Sequence, residues 1–151
     1  MLKHKPNKIW IDADACPKTV KEMVFKASRR LKICVVLVAN AYQAIPLSEL
    51  IQLIVVGKGE DVADQHIIDQ VEAYDLVVTA DIPLAAKIVA KKAIGINPRG
   101  EIYTEKNVGG ILSMRDFMKE LRDEGTITSG PRPFVPKDLQ LFANSLNKLL
   151  S

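Results

Sequence analysis

Ile9-Trp10-Ile11-Asp12-Ala13-Asp14-Ala15-Cys16 runs from apolar residues straight into two carboxylates one residue apart, and Pro17 and a helical pattern follow. That order describes a buried strand with an acidic carboxyl end. In an open α/β sheet, ligands bind in the crevice beyond the carboxyl ends of the strands, so acids there face a candidate site. The competing assignment makes Asp14 a helix cap and Asp12 the start of a turn. For a single Asp that is the commoner case, so the other strands decide.

Outward from this stretch, Val20, Val24, Ala27 and Leu31 recur at helical spacing and predict a surface helix over 17–30. Apolar runs predict strands at about 33–38, ending in Ala39-Asn40, and at 53–57, ending in Gly57-Lys58-Gly59. Unbroken runs of this kind mark parallel strands covered on both faces. The piece between them, through Tyr42, Pro46 and Ser48, is expected to form a loop and a short helix. A helix over 60–71 carries Asp61 and Asp64 three residues apart in its first turn. A strand at 75–79 leads to Asp81, Pro83 opens a helix reaching about Lys92, and a short strand at 94–96 ends in Asn97 before the turn Pro98-Arg99-Gly100. Val108, Ile111, Leu112, Met114, Phe117, Met118 and Leu121 make a long amphipathic helix ending before Gly125. After a turn-rich piece containing Gly130-Pro131-Arg132-Pro133, a last helix carries Leu139, Phe142, Leu146 and Leu149. The alternation predicts a single α/β domain over 1–151, with a mostly parallel five-stranded sheet, helices on both faces and C-terminal helices.

A chain of 151 residues is large enough to bury a core without staples. Its 48% hydrophobic and 26% charged residues are those of a folded protein. The net charge of +3 permits a nucleic-acid partner without requiring one. The two cysteines, Cys16 and Cys34, lack zinc spacing, which points to a reducing, cytoplasmic location. The N-terminus has no apolar signal core. The longest uncharged stretch, Ile33 to Ser48, falls short of the ~20 apolar residues of a membrane span, so no membrane partner is expected.

In a parallel sheet the carboxyl ends share one edge. Asp12, Asp14, Asp61, Asp64 and Asp81 therefore converge there, with Asn40 and Thr79 beside them and Arg99 following the fifth strand. Crowded carboxylates repel and raise one another's pKa unless protons or cations offset them. Oxygen donors alone suit Mg²⁺ or Mn²⁺, and a metal-activated water can hydrolyse a phosphodiester. Asn40 and Arg99 are placed to bind substrate. The bland alternative has these acids capping helices and pairing with lysines. Cys16 is expected to be a packed thiol, Trp10 a core residue, and His4 and His66 lone histidines without ligand spacing. Arg99, Arg115, Arg122 and Arg132 are either phosphate contacts or solvated charges, with Arg99 the best placed.

The motifs Asp12-Ala-Asp-Ala-Cys-Pro17, Val38-Ala-Asn40, Asp61-Val-Ala-Asp64, Val78-Thr-Ala-Asp-Ile-Pro-Leu-Ala-Ala86, Asn97-Pro-Arg-Gly100, Met114-Arg-Asp-Phe-Met118, Leu121-Arg122 and Gly130-Pro131 resemble those of the bacterial YaiI/YqxD family over residues 8–150. That family is in turn similar to the PIN-like nucleases in fold and acid placement. The resemblance implies a Mg²⁺- or Mn²⁺-dependent ribonuclease with Asp12, Asp61 or Asp64, and Asp81 in the site, Thr79 orienting the group, and RNA as partner. The chain differs in carrying Asn97-Pro98-Arg99 where many PIN-like nucleases have another acid. The opening stretch also resembles that of the aspartyl-phosphate phosphatases, which implies Asp12 as nucleophile and Asp14 as general acid. Cys16, however, stands where those enzymes have Thr or Val. A third reading is binding of RNA or a nucleotide without cleavage.

Overall fold

A computed structural model describes residues 6–59, 61–127 and 132–151. His4 and the Gly130-Pro131 motif lie outside them. Six strands form one sheet: β1 (Lys8–Asp12), β2 (Cys34–Ala39), β3 (Ile51–Val55), β4 (Leu76–Val78), β5 (Ile94–Ile96) and β6 (Ile102–Tyr103). Their spatial order is β3-β2-β1-β4-β5-β6. The first five are parallel, with Ile11 paired to Leu37 on one side and to Val78 on the other, and β6 adds an antiparallel edge. Strand order reverses between β1 and β4, which is where a doubly wound sheet opens its ligand crevice.

Alternate residues of each strand supply two separate cores, as the two-residue period requires. Ile9, Ile11, Val35, Leu37, Leu76, Val78 and Ile96 face α1 (Lys18–Leu31) and α5 (Pro136–Leu150), which contribute Val20, Val24, Phe142 and Leu146. Trp10, Val36, Val38 and Val77 face α2 (Val62–Gln70) and α3 (Ile82–Ala90), through Ile67, Leu84, Ile88 and Val89. The fully covered parallel sheet explains why the strands are continuously apolar. Helix α4 (Val108–Asp123) packs on α3 outside this layer, and Val108 is its one buried residue. The indole of Trp10 donates to buried Asp75 (3.0 Å), confirming it as a core residue.

Local chemistry fixes the helix ends. Asp81 accepts the Leu84 amide at 3.0 Å and so caps α3, with Pro83 in the first turn. Lys32 closes α1 in the left-handed conformation at φ 59, while Arg29 and Arg30 complement the helix dipole in its last turn.

The predicted α/β architecture holds, with differences at the margins. The third strand begins at Ile51 rather than 53, and the segment from Ala41 to Leu50 is irregular, with a turn at Glu49 and Leu50 and without the expected short helix. The sheet has six strands instead of five because Tyr103 and Ile102 pair with Gly95 and Ile96. Among the described residues no helix is long and apolar enough to cross a membrane.

Candidate functional site at the strand-order reversal

Adjacent strands β1 and β4 end in the two acids that the sequence singled out. Asp12 is the last residue of β1; Thr79 and Asp81 follow β4. The Thr79 hydroxyl, in a residue only 2% exposed, donates to Asp12 Oδ2 at 2.9 Å and accepts the Asp81 amide at 3.0 Å. One hydroxyl thus locks two strand ends together and fixes the direction of Asp12. Two residues apart on one strand, Asp12 and Trp10 share a face, and it is the face that α2 and α3 cover. Asp64, in the first turn of α2, lines the same cleft as Asp81.

The electrostatics follow from this crowding. Burial is the main cause that raises the Asp12 carboxyl; the Thr79 hydrogen bond opposes it, and Asp81 and Asp14 add to it. Burial also leads for Asp64, which is pushed up to about 7, with the hydrogen bond to Asp81 and the charges of Asp81, Asp12 and Asp61 acting in the same direction. A carboxyl whose folded pKa lies above its unfolded value of ~4 costs stability as it ionises, so this loss grows from pH ~4 up through about 7. Asp64→Asn in EDTA is therefore expected to melt above the wild type at pH 8, with the gap narrowing as the pH is lowered to 5. Calorimetric scans at the two pH values measure it, and an equal gap at both would contradict it.

The other predicted residues take different places. Asp14 lies in the single 3₁₀ turn Ala13–Ala15, and both its oxygens accept the Asn40 amide, at 2.9 and 3.2 Å. The Asn40 side chain donates to the Gly57 carbonyl at 3.0 Å. Asp14 and Asn40 together brace the ends of β1, β2 and β3. Asp61 precedes α2 as an exposed residue whose charge acts on Asp64. Arg99 leaves β5 at the correct edge, donates to the Arg132 carbonyl, and stands 3.9 Å from buried Asp138. Arg132 forks onto Asp138 with bonds of 2.6 and 2.7 Å, which, together with the Val135 amide, hold the Asp138 carboxyl well below the usual carboxylate range. The sequence offered one clue to Asp138, an acid in the first turn of a helix opened by proline. Buried Cys16 has its thiol pushed up to about 12 by burial, as a packed thiol should. His66 packs edge-on against Trp10 at 6.3 Å.

Two clefts meet at Asp81 and Pro83. One also holds Asp61, Asp64 and Lys87, and the other Asp12 and Ala80; Arg115 lines both. The oxygen-only donor set fits a hard divalent cation. Among the described residues, no three His, Cys, Asp or Glu side chains are gathered tightly enough to hold an ion as they stand.

Fold and edge together define a doubly wound α/β protein with acids at its switch point. The chain belongs to the YaiI/YqxD family: the family described as "Uncharacterized BCR, YaiI/YqxD family" matches residues 10–151. It is 58% identical over 143 residues to a UPF0178 protein of Maridesulfovibrio salexigens, covering 95% of each chain. A UPF0178 protein of Geobacter metallireducens is 57% identical over 144 residues, 95% of this chain and 93% of that one. Another, from Shewanella sp. (strain MR-7), is 54% identical over 143 residues, 95% of this chain and 94% of that one. No solved structure matches the chain.

Proposed function

We propose that the acidic edge is the active site of a Mg²⁺- or Mn²⁺-dependent phosphodiester hydrolase acting on RNA. The observation that carries this reading is the meeting of Asp12, Asp64 and Asp81 at the switch point, where the charges acting on Asp12 and Asp64 are those of other carboxylates. In structural pairings each would be offset by a lysine or arginine. Asp12, Asp64 and Asp81 serve as metal ligands, with Asp61 and Asp14 adding negative charge at the rim. Thr79 occupies Asp12 Oδ2, and Asp12 lines one of the two clefts. When bound, a divalent ion lowers the pKa of a water and offsets charge on the phosphate. On this reading the protein works in the cytoplasm, and the free thiols Cys16 and Cys34 accord with a reducing compartment.

The phosphatase alternative draws less support. Asp14 would be its general acid, yet both Asp14 oxygens are taken by the Asn40 amide, which makes the residue a brace between strand ends. The test is incubation of the wild-type protein with Mn²⁺ and either labelled single-stranded RNA or a panel of phosphomonoesters. Fragments from internal cuts, with no phosphoenzyme, are expected. Phosphate released from monoesters while the RNA stays whole would overturn the proposal, and RNA retained intact would leave a binding protein.

A further inference from the structure

Of the four arginines weighed as phosphate contacts, the structure separates one from the rest. Arg132 is bound to Asp138, Arg99 is held against the same carboxylate and the Arg132 carbonyl, and Arg122 lies exposed in the last turn of α4. Arg115 instead lines both clefts that meet at Asp81. Its ion pair is with the next residue, Asp116, whose side chain is 60% exposed. Exposed pairs of this kind hold a guanidinium weakly and give way to a better anion.

The placement of Arg115 follows from packing. Helix α4 buries little and leans on α3, the helix that Asp81 caps, so the α3–α4 contact sets Arg115 opposite the acids. A cation and several carboxylates thus line the same open clefts. With a divalent cation held by the acids, Arg115 and that ion would present positive charge to such a gap from two sides, which suits a group with negative oxygens on more than one side. A phosphodiester has that form, and the planar fork of arginine matches two phosphate oxygens in a way that lysine does not.

We propose that Arg115 anchors a phosphate of the substrate strand, gripping it across the two clefts that meet at Asp81. This assignment rests on the reading of the edge as a phosphodiester hydrolase, and it adds a binding residue from an element that carries none of the acids. Lys87, on the wall of one cleft, supplies further positive charge along the same path.

The experiment compares wild type, Arg115→Ala and Arg115→Lys by fluorescence anisotropy with a labelled single-stranded oligoribonucleotide. Binding is measured in EDTA and in Ca²⁺ across a salt series, and cleavage is followed separately in Mn²⁺. Arg115→Ala is expected to weaken binding about tenfold and to reduce the slope of log affinity against log salt by about 1. Its KM should rise more than its kcat falls, Arg115→Lys should recover part of the affinity, and the melting temperatures of all three should agree. Wild-type affinity and slope in Arg115→Ala would overturn the anchor while leaving hydrolysis by the wild type standing. Arg115-dependent binding without any cleavage would support the anchor and remove the hydrolase. No binding by the wild type in either buffer would overturn the anchor outright.

Discussion

Asp12→Asn is expected to abolish Mn²⁺-dependent RNA cleavage while leaving the fold intact. Asp12 lies at the centre of the sheet edge, between β2 and β4, and it is the acid whose direction Thr79 fixes. Removal of its charge takes away a proposed metal ligand, whereas Thr79→Val removes only the group that orients that residue. Loss of an orienting partner typically costs roughly 10- to 100-fold, so Thr79→Val should fall in that range and Asp12→Asn beyond it. The stability expectation runs the other way. Burial and the charges of Asp81 and Asp14 disfavour an ionised Asp12, and a neutral amide relieves that cost. Asp12→Asn should therefore melt no lower than the wild type in EDTA. Mn²⁺ should raise the wild-type melting temperature by selective binding to the folded state, and this rise should be absent in the variant. Unaltered cleavage in Asp12→Asn would remove the residue from the site.

The second large effect falls on stability. Gly100→Ala is expected to destabilise the protein by about 3 kcal/mol, since a left-handed backbone and overpacking each cost roughly 1–3 kcal/mol. Gly100 sits at φ 93, and a Cβ there would come within 2.5 Å of the Leu141 carbonyl oxygen in α5. The obstacle is backbone, so no side chain can swing aside. Ser145 of the same helix donates to the Gly100 carbonyl, which ties the turn to α5 a second time. Urea unfolding would give the size, and a loss below about 1 kcal/mol would mean that α5 shifts freely. A shift of α5 would also displace Asp138, and with it the anchorage of Arg132 and Arg99.

The parts of the fold that were legible in the sequence are those with a period or a direction. Ile9–Ile11, Val35–Val38 and Leu76–Val78 are buried on both faces, and only a covered parallel sheet makes such runs continuous. Parallelism then carries the site, because it brings Asp12 and Asp81 to one edge without any knowledge of strand order. Strand β6 was not legible, since two residues have no period. Its trace is Gly95, where a Cβ would stand 3.0 Å from the Tyr103 ring, so the small residue in β5 makes room for the edge strand. The bounds of β3 slipped by two residues because pairing with β2, Val35 to Ile51, sets them, and apolar character continues past them. Within the site, the strand-end acids and Thr79 could be named, but the roles of Asp14, Asn40 and Asp138 could not. Each depends on a hydrogen bond between distant segments, such as the Asn40 amide to Asp14. Arg115 was one of four similar arginines until the α3–α4 packing distinguished it.

The chain contains a single tryptophan, and it stands in β1 two residues before Asp12. Its indole is 3% exposed, hydrogen-bonded to Asp75 and flanked by His66, and Lys8 lies 5.2 Å from its ring centre. A fluorophore so enclosed emits toward the blue and moves to the red when the sheet opens to water. It also lies roughly 7 Å along the strand from the proposed ligand, on the same face. The protein therefore carries its own optical reporter of the integrity of the central strand, and a paramagnetic ion bound at the proposed site would quench it, with no label attached.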